Sequence, residues 1–223
     1  MLFNSIEFLF FLPTVFALYW FVFNKNHTVQ NILLIISGYV FYGWWDWRFL
    51  LLLILSSTVD FIVGISLGKV KEELKRKLIL TISISFNIGL LGFFKYFNFF
   101  AESFASLMAQ IGLHADPITL KVILPVGISF YTFQSLSYTI DVYKRKMEPT
   151  RDMLAFYAFI SFFPQLVAGP IERAKNMVPQ FIVKRNFDYE KAKDGLKQIL
   201  WGLFKKMGGG TGRLPVASAT TTH

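Results

Sequence analysis

The sequence predicts an all-α fold: a multi-pass transmembrane helical bundle that contains a re-entrant or broken helical segment. Three observations carry that expectation. Of 223 residues, 54% are hydrophobic, 18% aromatic and only 17% charged, where a soluble domain carries about 25% charged residues. The apolar residues fall in runs close to the ~20 residues that a helix needs to cross a bilayer. Finally, one stretch, Leu124–Lys146, is too apolar for a water-facing surface and too interrupted for a plain span.

Composition also removes whole classes of function. The formal net charge is +9, which in a soluble chain would point to nucleic acid. Here the Lys and Arg residues lie between apolar runs, where the positive-inside bias and anionic lipid account for them. The expected partner is therefore the lipid bilayer and not nucleic acid. With no cysteine, the chain has no disulfide framework, no thiolate nucleophile and no Cys-ligated metal, and no metal site is expected.

The first apolar run covers Leu2–Phe23, with Pro13 as an expected kink. No Lys or Arg precedes it and no small-residue cleavage site follows, so it reads as a retained span rather than a signal peptide. The second, Val29–Trp45, ends in FYGWWDW, whose Trp44, Trp45 and Trp47 suit a membrane interface. The third, Phe49–Leu67, runs into a small-xxx-small pattern at Gly64–Gly68 that favours close helix approach. Asp60 lies inside this span and needs a partner or a wet neighbour at such a depth.

Gly68–Lys77, GKVKEELKRK, has five basic residues in ten and is expected on the cytoplasmic side. Counting back three crossings places the N-terminus outside. Leu78–Phe94 reads as a fourth span edged by Lys95 and Tyr96, with Phe97–Ile111 returning toward the cytoplasm. On that path a full crossing by Val122–Val142 would leave Lys144-Arg145-Lys146 outside, against the charge bias. Re-entry from the cytoplasm removes the conflict.

The interrupted stretch has its own logic. Pro125 lacks an N–H and biases Leu124 away from helix, and Gly127 adds backbone freedom. Gln134, Tyr138 and Asp141 follow at spacings of four and three, near one helical face. That face either lines a hydrated tunnel or hydrogen-bonds a neighbouring helix. Met153–Ala168 is a further apolar run, broken by Pro164 and closed by the turn at Gly169-Pro170. Asn176–Lys184 reads as a short connection. Asp188 is placed to cap a helix running to Met207, with Leu196, Ile199, Leu200, Leu203 and Phe204 at helical spacing. Residues 1–207 thus form one domain. Residues 208–223, GGGTGRLPVASATTTH, share none of its periodicity and read as foreign sequence from a scar, frameshift or junction, or as a flexible tail.

PVGISFYTFQSLSYTIDVY, followed by SFFPQLVAGPIER at Ser161–Arg173, resembles the membrane-bound O-acyltransferase family. The closest likeness is to its bacterial branch of alginate O-acetyltransferases and teichoic-acid D-alanylation proteins, and it runs from Met1 to about Met207. The resemblance implies an enzyme of the bacterial inner membrane. It would take an acetyl or similar acyl group from a cytoplasmic thioester donor, acetyl-CoA or an acyl carrier protein, with no bound cofactor. The acceptor would be the hydroxyls of an exported polysaccharide, reached directly or through a periplasmic acyl-transfer partner.

Such transfer needs a base for the hydroxyl proton, and histidine is the natural one. The family's essential His lies in a membrane helix in the C-terminal half of a protein about twice this length. His27, His114 and His223 sit in loops or in the tail, and none corresponds to it. The chain therefore holds no catalytic residue and is expected to be inactive alone. Gln134, Tyr138 and Asp141 are tunnel-lining candidates. Glu172 and Arg173 are candidates for the donor-side rim, guiding an anionic carrier, or else form a plain interfacial ion pair. The rival readings are a fragment of a transporter or channel, which also uses broken helices with polar linings, and a non-catalytic membrane scaffold.

Overall fold

The computed structural model describes residues 3, 5–110, 125–166, 169 and 172–208, and every regular element among them is helical. Helix α1, Ile6–Ala17, begins where the Ser5 side chain accepts the Phe8 N–H, contains Pro13, and continues into a π-helical turn at Leu18–Val22. Asn26 caps α2, His27–Asp46, by accepting the Thr28 N–H. A short 3-10 turn at Trp47–Phe49 then leads to α3, Leu50–Lys69. Among the described residues, two stretches are long and apolar enough to cross a membrane: His27–Lys69 and Glu73–Phe104.

Helix α4, Glu73–Gln110, is a single helix of 38 residues. This corrects the expected reversal at Lys95–Tyr96, because the chain passes that point without a break. Lys95 is no stop signal; its ammonium lies 5.6 Å from the Tyr96 ring centroid while the helix continues. The path of α5, Ile128–Tyr143, changes accordingly. Ser135 and Thr139 meet Ser83 and Asp60, whereas Val142 and Tyr143 meet Arg76. Hence α5 is antiparallel to α4 and parallel to α3. Lys144-Arg145-Lys146 reaches the same end as GKVKEELKRK with no re-entry required. The break itself is real and lies at the helix start, where Gly127 adopts φ 77°, a conformation that glycine takes at little cost.

Asp152 caps α6, Met153–Ile160, which ends at Ser161 just before α7, Phe163–Leu166, so the break falls ahead of Pro164 as expected. The connection expected at Asn176–Lys184 is instead largely helix α8, Ala174–Ile182. Its Ala174, Met177, Val178 and Phe181 are buried and its opposite face is exposed. Asp188 does cap α9, Tyr189–Gly208, by accepting the Lys191 N–H at 3.1 Å. The apolar Leu196, Leu200, Trp201 and Phe204 of α9 are exposed. His114, Leu124 and residues 209–223 lie outside the described residues.

The core gathers around α3, α5 and α6. Phe156, Phe159 and Tyr138 have no exposed surface, and among membrane helices van der Waals packing of this kind holds neighbours together. Close approach rests on glycine. A Cβ at Gly64 would lie 2.5 Å from the Tyr138 ring, and one at Gly38 would overlap the Ser161 carbonyl. The small-xxx-small pattern is thus a packing device: Gly64 receives Tyr138, and Gly68 receives Pro149.

Candidate functional site

Three helices meet at a buried carboxylate. Asp60 on α3 is fully buried. Ser83 Oγ donates to its Oδ1 at 2.5 Å, and Asn87 Nδ2 lies 3.0 and 2.9 Å from its two oxygens. Ser135 Oγ donates to Oδ2 from α5. A second ring of contacts holds these donors in place: Ser56 Oγ donates to Asn87 Oδ1 at 2.7 Å, and Ser83 Oγ lies 3.5 Å from Thr139 Oγ1. The partner that Asp60 demanded is therefore a set of neutral donors from α4 and α5. An uncompensated charge at such depth is costly, and donors converging on both oxygens are what makes it tolerable.

The three tunnel-lining candidates share this helix but not this knot. Gln134 Nε2 donates to the Phe159 carbonyl at 2.8 Å, tying α5 to α6. Tyr138 OH accepts the Thr150 N–H at 3.2 Å while its ring fills the notch at Gly64. Asp141 is buried, and its Oδ2 has no hydrogen-bond partner among the described residues. Gln134 and Tyr138 thus take interhelical contacts, and Asp141 alone retains an unmet polar group.

At the far end of α5 lies a basic cleft. Arg76, only 5% exposed, donates to the carbonyls of Leu67 and Val70 at the end of α3 and of Val142 and Tyr143 at the end of α5. It thereby answers the unsatisfied carbonyls and partial negative charge of two helix C-termini at once. Lys146 N–H returns to Asp141 O at 2.9 Å and Arg145 N–H to Val142 O at 3.1 Å, the double bond of a Schellman end. The position that glycine usually takes in that motif is Arg145, at φ 55°. Lys71, Arg76, Arg145 and Lys146, with Glu148, line a cavity of about 650 Å³.

The rim candidates are not among its lining residues. Glu172 and Arg173 are exposed at the start of α8 and form no ion pair with each other. His27 is half-buried in the first turn of α2. No group of three His, Cys, Asp or Glu side chains among the described residues is placed to hold a metal ion.

The sequence reading passed over Ser83, Asn87, Asn31 and Arg185. Ser83 and Asn87 did carry a signal, two polar residues four apart inside an apolar span. Asn31 joins α2 to α8 by donating to the Phe181 carbonyl at 2.8 Å, and it accepts from Arg185 at 2.6 Å.

The probable alginate O-acetylase AlgI of Pseudomonas putida is 37% identical over 211 residues, which cover 93% of this chain and 42% of that protein. The chain is homologous to part of that protein. Its Pseudomonas aeruginosa counterpart matches at 37% identity, covering 93% of this chain and 39% of the relative. The peptidoglycan O-acetyltransferase of Helicobacter pylori matches at 33% identity over 236 residues, with 93% and 44% covered. These matches bear out the membrane-bound O-acyltransferase resemblance drawn from PVGISFYTFQSLSYTIDVY and SFFPQLVAGPIER. The chain spans about two fifths of the length of the curated relatives it matches. No family model matches the chain, and no solved structure matches it.

Proposed function

We propose that this chain is the part of a polysaccharide O-acetyltransferase of the bacterial cytoplasmic membrane that receives the acyl donor and anchors the transfer path. The observation that carries this reading is the match to O-acetylating relatives across 93% of the chain. The donor is a thioester of coenzyme A or of an acyl carrier protein, arriving from the cytoplasm. The acceptor is a hydroxyl of an exported polysaccharide or of peptidoglycan. The histidine that takes the hydroxyl proton is supplied by sequence beyond this chain, so the chain alone is inactive.

The basic cleft at the ends of α3 and α5 supports a donor side in the cytoplasm. Lys71, Arg145 and Lys146 present cations to an anionic carrier, and a left-handed arginine where glycine is favoured keeps a guanidinium at the cleft edge. The unpartnered Asp141 oxygen marks where α5 needs water or a polar group, as the wall of a hydrated path would supply. Glu172 and Arg173, exposed and unpaired with each other, remain available at a rim.

A chimera tests the reading. Residues 1–207 replace the matching segment of the Pseudomonas putida relative, and the O-acetyl ester content of the exported alginate is measured. Retained acetylation is expected. A chimera that reaches the membrane at the parental level yet leaves the polymer unacetylated overturns the proposal. Orientation is read separately with an impermeant thiol reagent on intact cells: Asp46→Cys should be labelled and Glu72→Cys shielded.

A further inference from the structure

A second cavity lies between the π-helical turn, α2, α7 and α8. It holds about 340 Å³ and is lined by Leu12, Phe16, Trp20, Leu34, Phe162 and Met177, with Arg185 and Gln180 among its polar residues. Arg185 is fixed before any ligand arrives. Its Nη1 donates to Tyr19 OH at 2.6 Å, Nη2 to Asn31 Oδ1 at 2.6 Å and Nε to the Gln180 carbonyl at 2.8 Å. The guanidinium carbon lies 5.7 Å from the Tyr19 ring centroid and 5.4 Å from that of Phe181.

All three acceptors are uncharged. A guanidinium offers five N–H donors, so two remain, and no carboxylate among the described residues comes within 4.0 Å of this one. Its charge is held in place without being neutralised. A neighbouring cleft shares Phe16, Trp20 and Arg185 and adds Lys184 and Lys191. The Asp188 carboxylate in that cleft is engaged by the Lys191 N–H and, at 3.5 Å, by its ammonium. Ile6, Leu9, Phe10 and Phe21 are exposed along α1 and its π-helical turn, an apolar surface on the same elements that line the cavity. Tyr19 and Trp20 both belong to that turn, a form frequently found at functional sites.

We propose that this cavity seats one anionic phospholipid, an acyl chain in the apolar pocket and the phosphate on Arg185. A preorganised fork beside an apolar slot matches a ligand that is anionic at one end and hydrocarbon at the other. The lysines at the rim add attraction for anionic lipid. The site is separate from the cleft around Arg76, and the proposal stands whether or not the chain takes part in acyl transfer.

Trp20 reports occupancy. In the full chain with Trp44, Trp45, Trp47 and Trp201 replaced by Phe, Trp20 is the sole indole. The protein is placed in phosphatidylcholine vesicles carrying either brominated-chain phosphatidylglycerol or brominated-chain phosphatidylcholine at equal mole fraction. Phosphatidylcholine carries the same phosphate but cancels its charge with choline, so phosphatidylglycerol, whose net charge is unopposed beside Arg185, is expected to quench with about tenfold higher apparent affinity. Arg185→Gln should bring the ratio to about 1. The parental ratio needs no change at Arg185, so a variant that fails to fold leaves the test standing. Equal quenching by the two lipids overturns the proposal, as does a preference that survives Arg185→Gln. So does relief of quenching by inorganic phosphate, the mark of a simple anion site. Trp20 emission that neither lipid reaches, as when a protein segment fills the pocket, overturns it too.

Discussion

Asp60 and Arg185 are both charged groups in an apolar setting, and the chain treats them in opposite ways. Asp60 is closed in: Ser83, Asn87 and Ser135 converge on its two oxygens, and the side chain has no exposed surface. Arg185 is held as firmly, by Tyr19, Asn31 and Gln180, yet two of its donors stay free beside a cavity. The first arrangement spends every hydrogen bond on joining α3, α4 and α5. The second leaves a fixed charge in reserve. Buried charge in this protein is a fastener where donors complete it and a binding group where they do not.

Removing Asp60 should break the fastener most severely. Asp60→Ala strands three buried donors, each with a desolvation penalty of about 1–3 kcal/mol, and should lower stability by about 3 kcal/mol or more, read by thermal unfolding in detergent. Asp60→Asn keeps the shape but sets an amide against the Asn87 amide, and should lose roughly half as much. A stability within experimental error of the parent for Asp60→Ala would show that the knot holds nothing.

The glycines give a test with a change of sign. Gly64→Ala drives a methyl into the Tyr138 ring, and overpacking of this kind costs about 1–3 kcal/mol. Gly89 on α4 has nothing within 4 Å of its would-be Cβ, so Gly89→Ala should gain up to about 1 kcal/mol of helix propensity. Both are read from the same unfolding curves.

How much of this was legible in advance follows from the range of each signal. The break at Pro125–Gly127, the Asp188 cap and the close approach at Gly64 and Gly68 are local, and local residue chemistry announces them. That Asp60 needed a partner was equally plain. The identity of that partner was not, since Ser135 lies 75 positions away and spacing along one chain says nothing about such a pairing. Gln134, Tyr138 and Asp141 do lie along one buried side of α5, as their spacing implied. What that side meets is decided by α6 and by Gly64, which periodicity does not reveal. The reversal expected at Lys95 failed for a different reason: a lysine on a long helix can extend its ammonium toward polar surroundings without ending the helix.

Arg185→Gln should cost less than the loss of Asp60, about 1–2 kcal/mol, because the group is half-exposed and its acceptors are uncharged. An unfolding shift as large as that of Asp60→Ala would make the Arg185 cluster a second fastener and erase the contrast. The smallest effect is expected at Asp188. The Lys191 backbone N–H holds its carboxyl below the ordinary range. A carboxyl lowered on folding stabilises above its unfolded pKa, about 3.9, and that contribution is lost as pH falls through the lower folded value. The protection factor of the amides at the start of α9 should therefore fall at acid pH in the parent, whereas in Asp188→Asn it should not vary through that window.

Helix α4 has a mechanical consequence. Its 38 residues reach about 57 Å at 1.5 Å per residue, while the hydrocarbon layer is ~30 Å thick. Pinned to its neighbours near Arg76, Ser83 and Asn87, it must lean steeply or carry its final turns clear of the acyl tails. In the second case Phe97, Phe99, Phe100 and Phe104 form a greasy spar at the headgroups, at the end of α4 away from Arg76 and the GKVKEELKRK lysines.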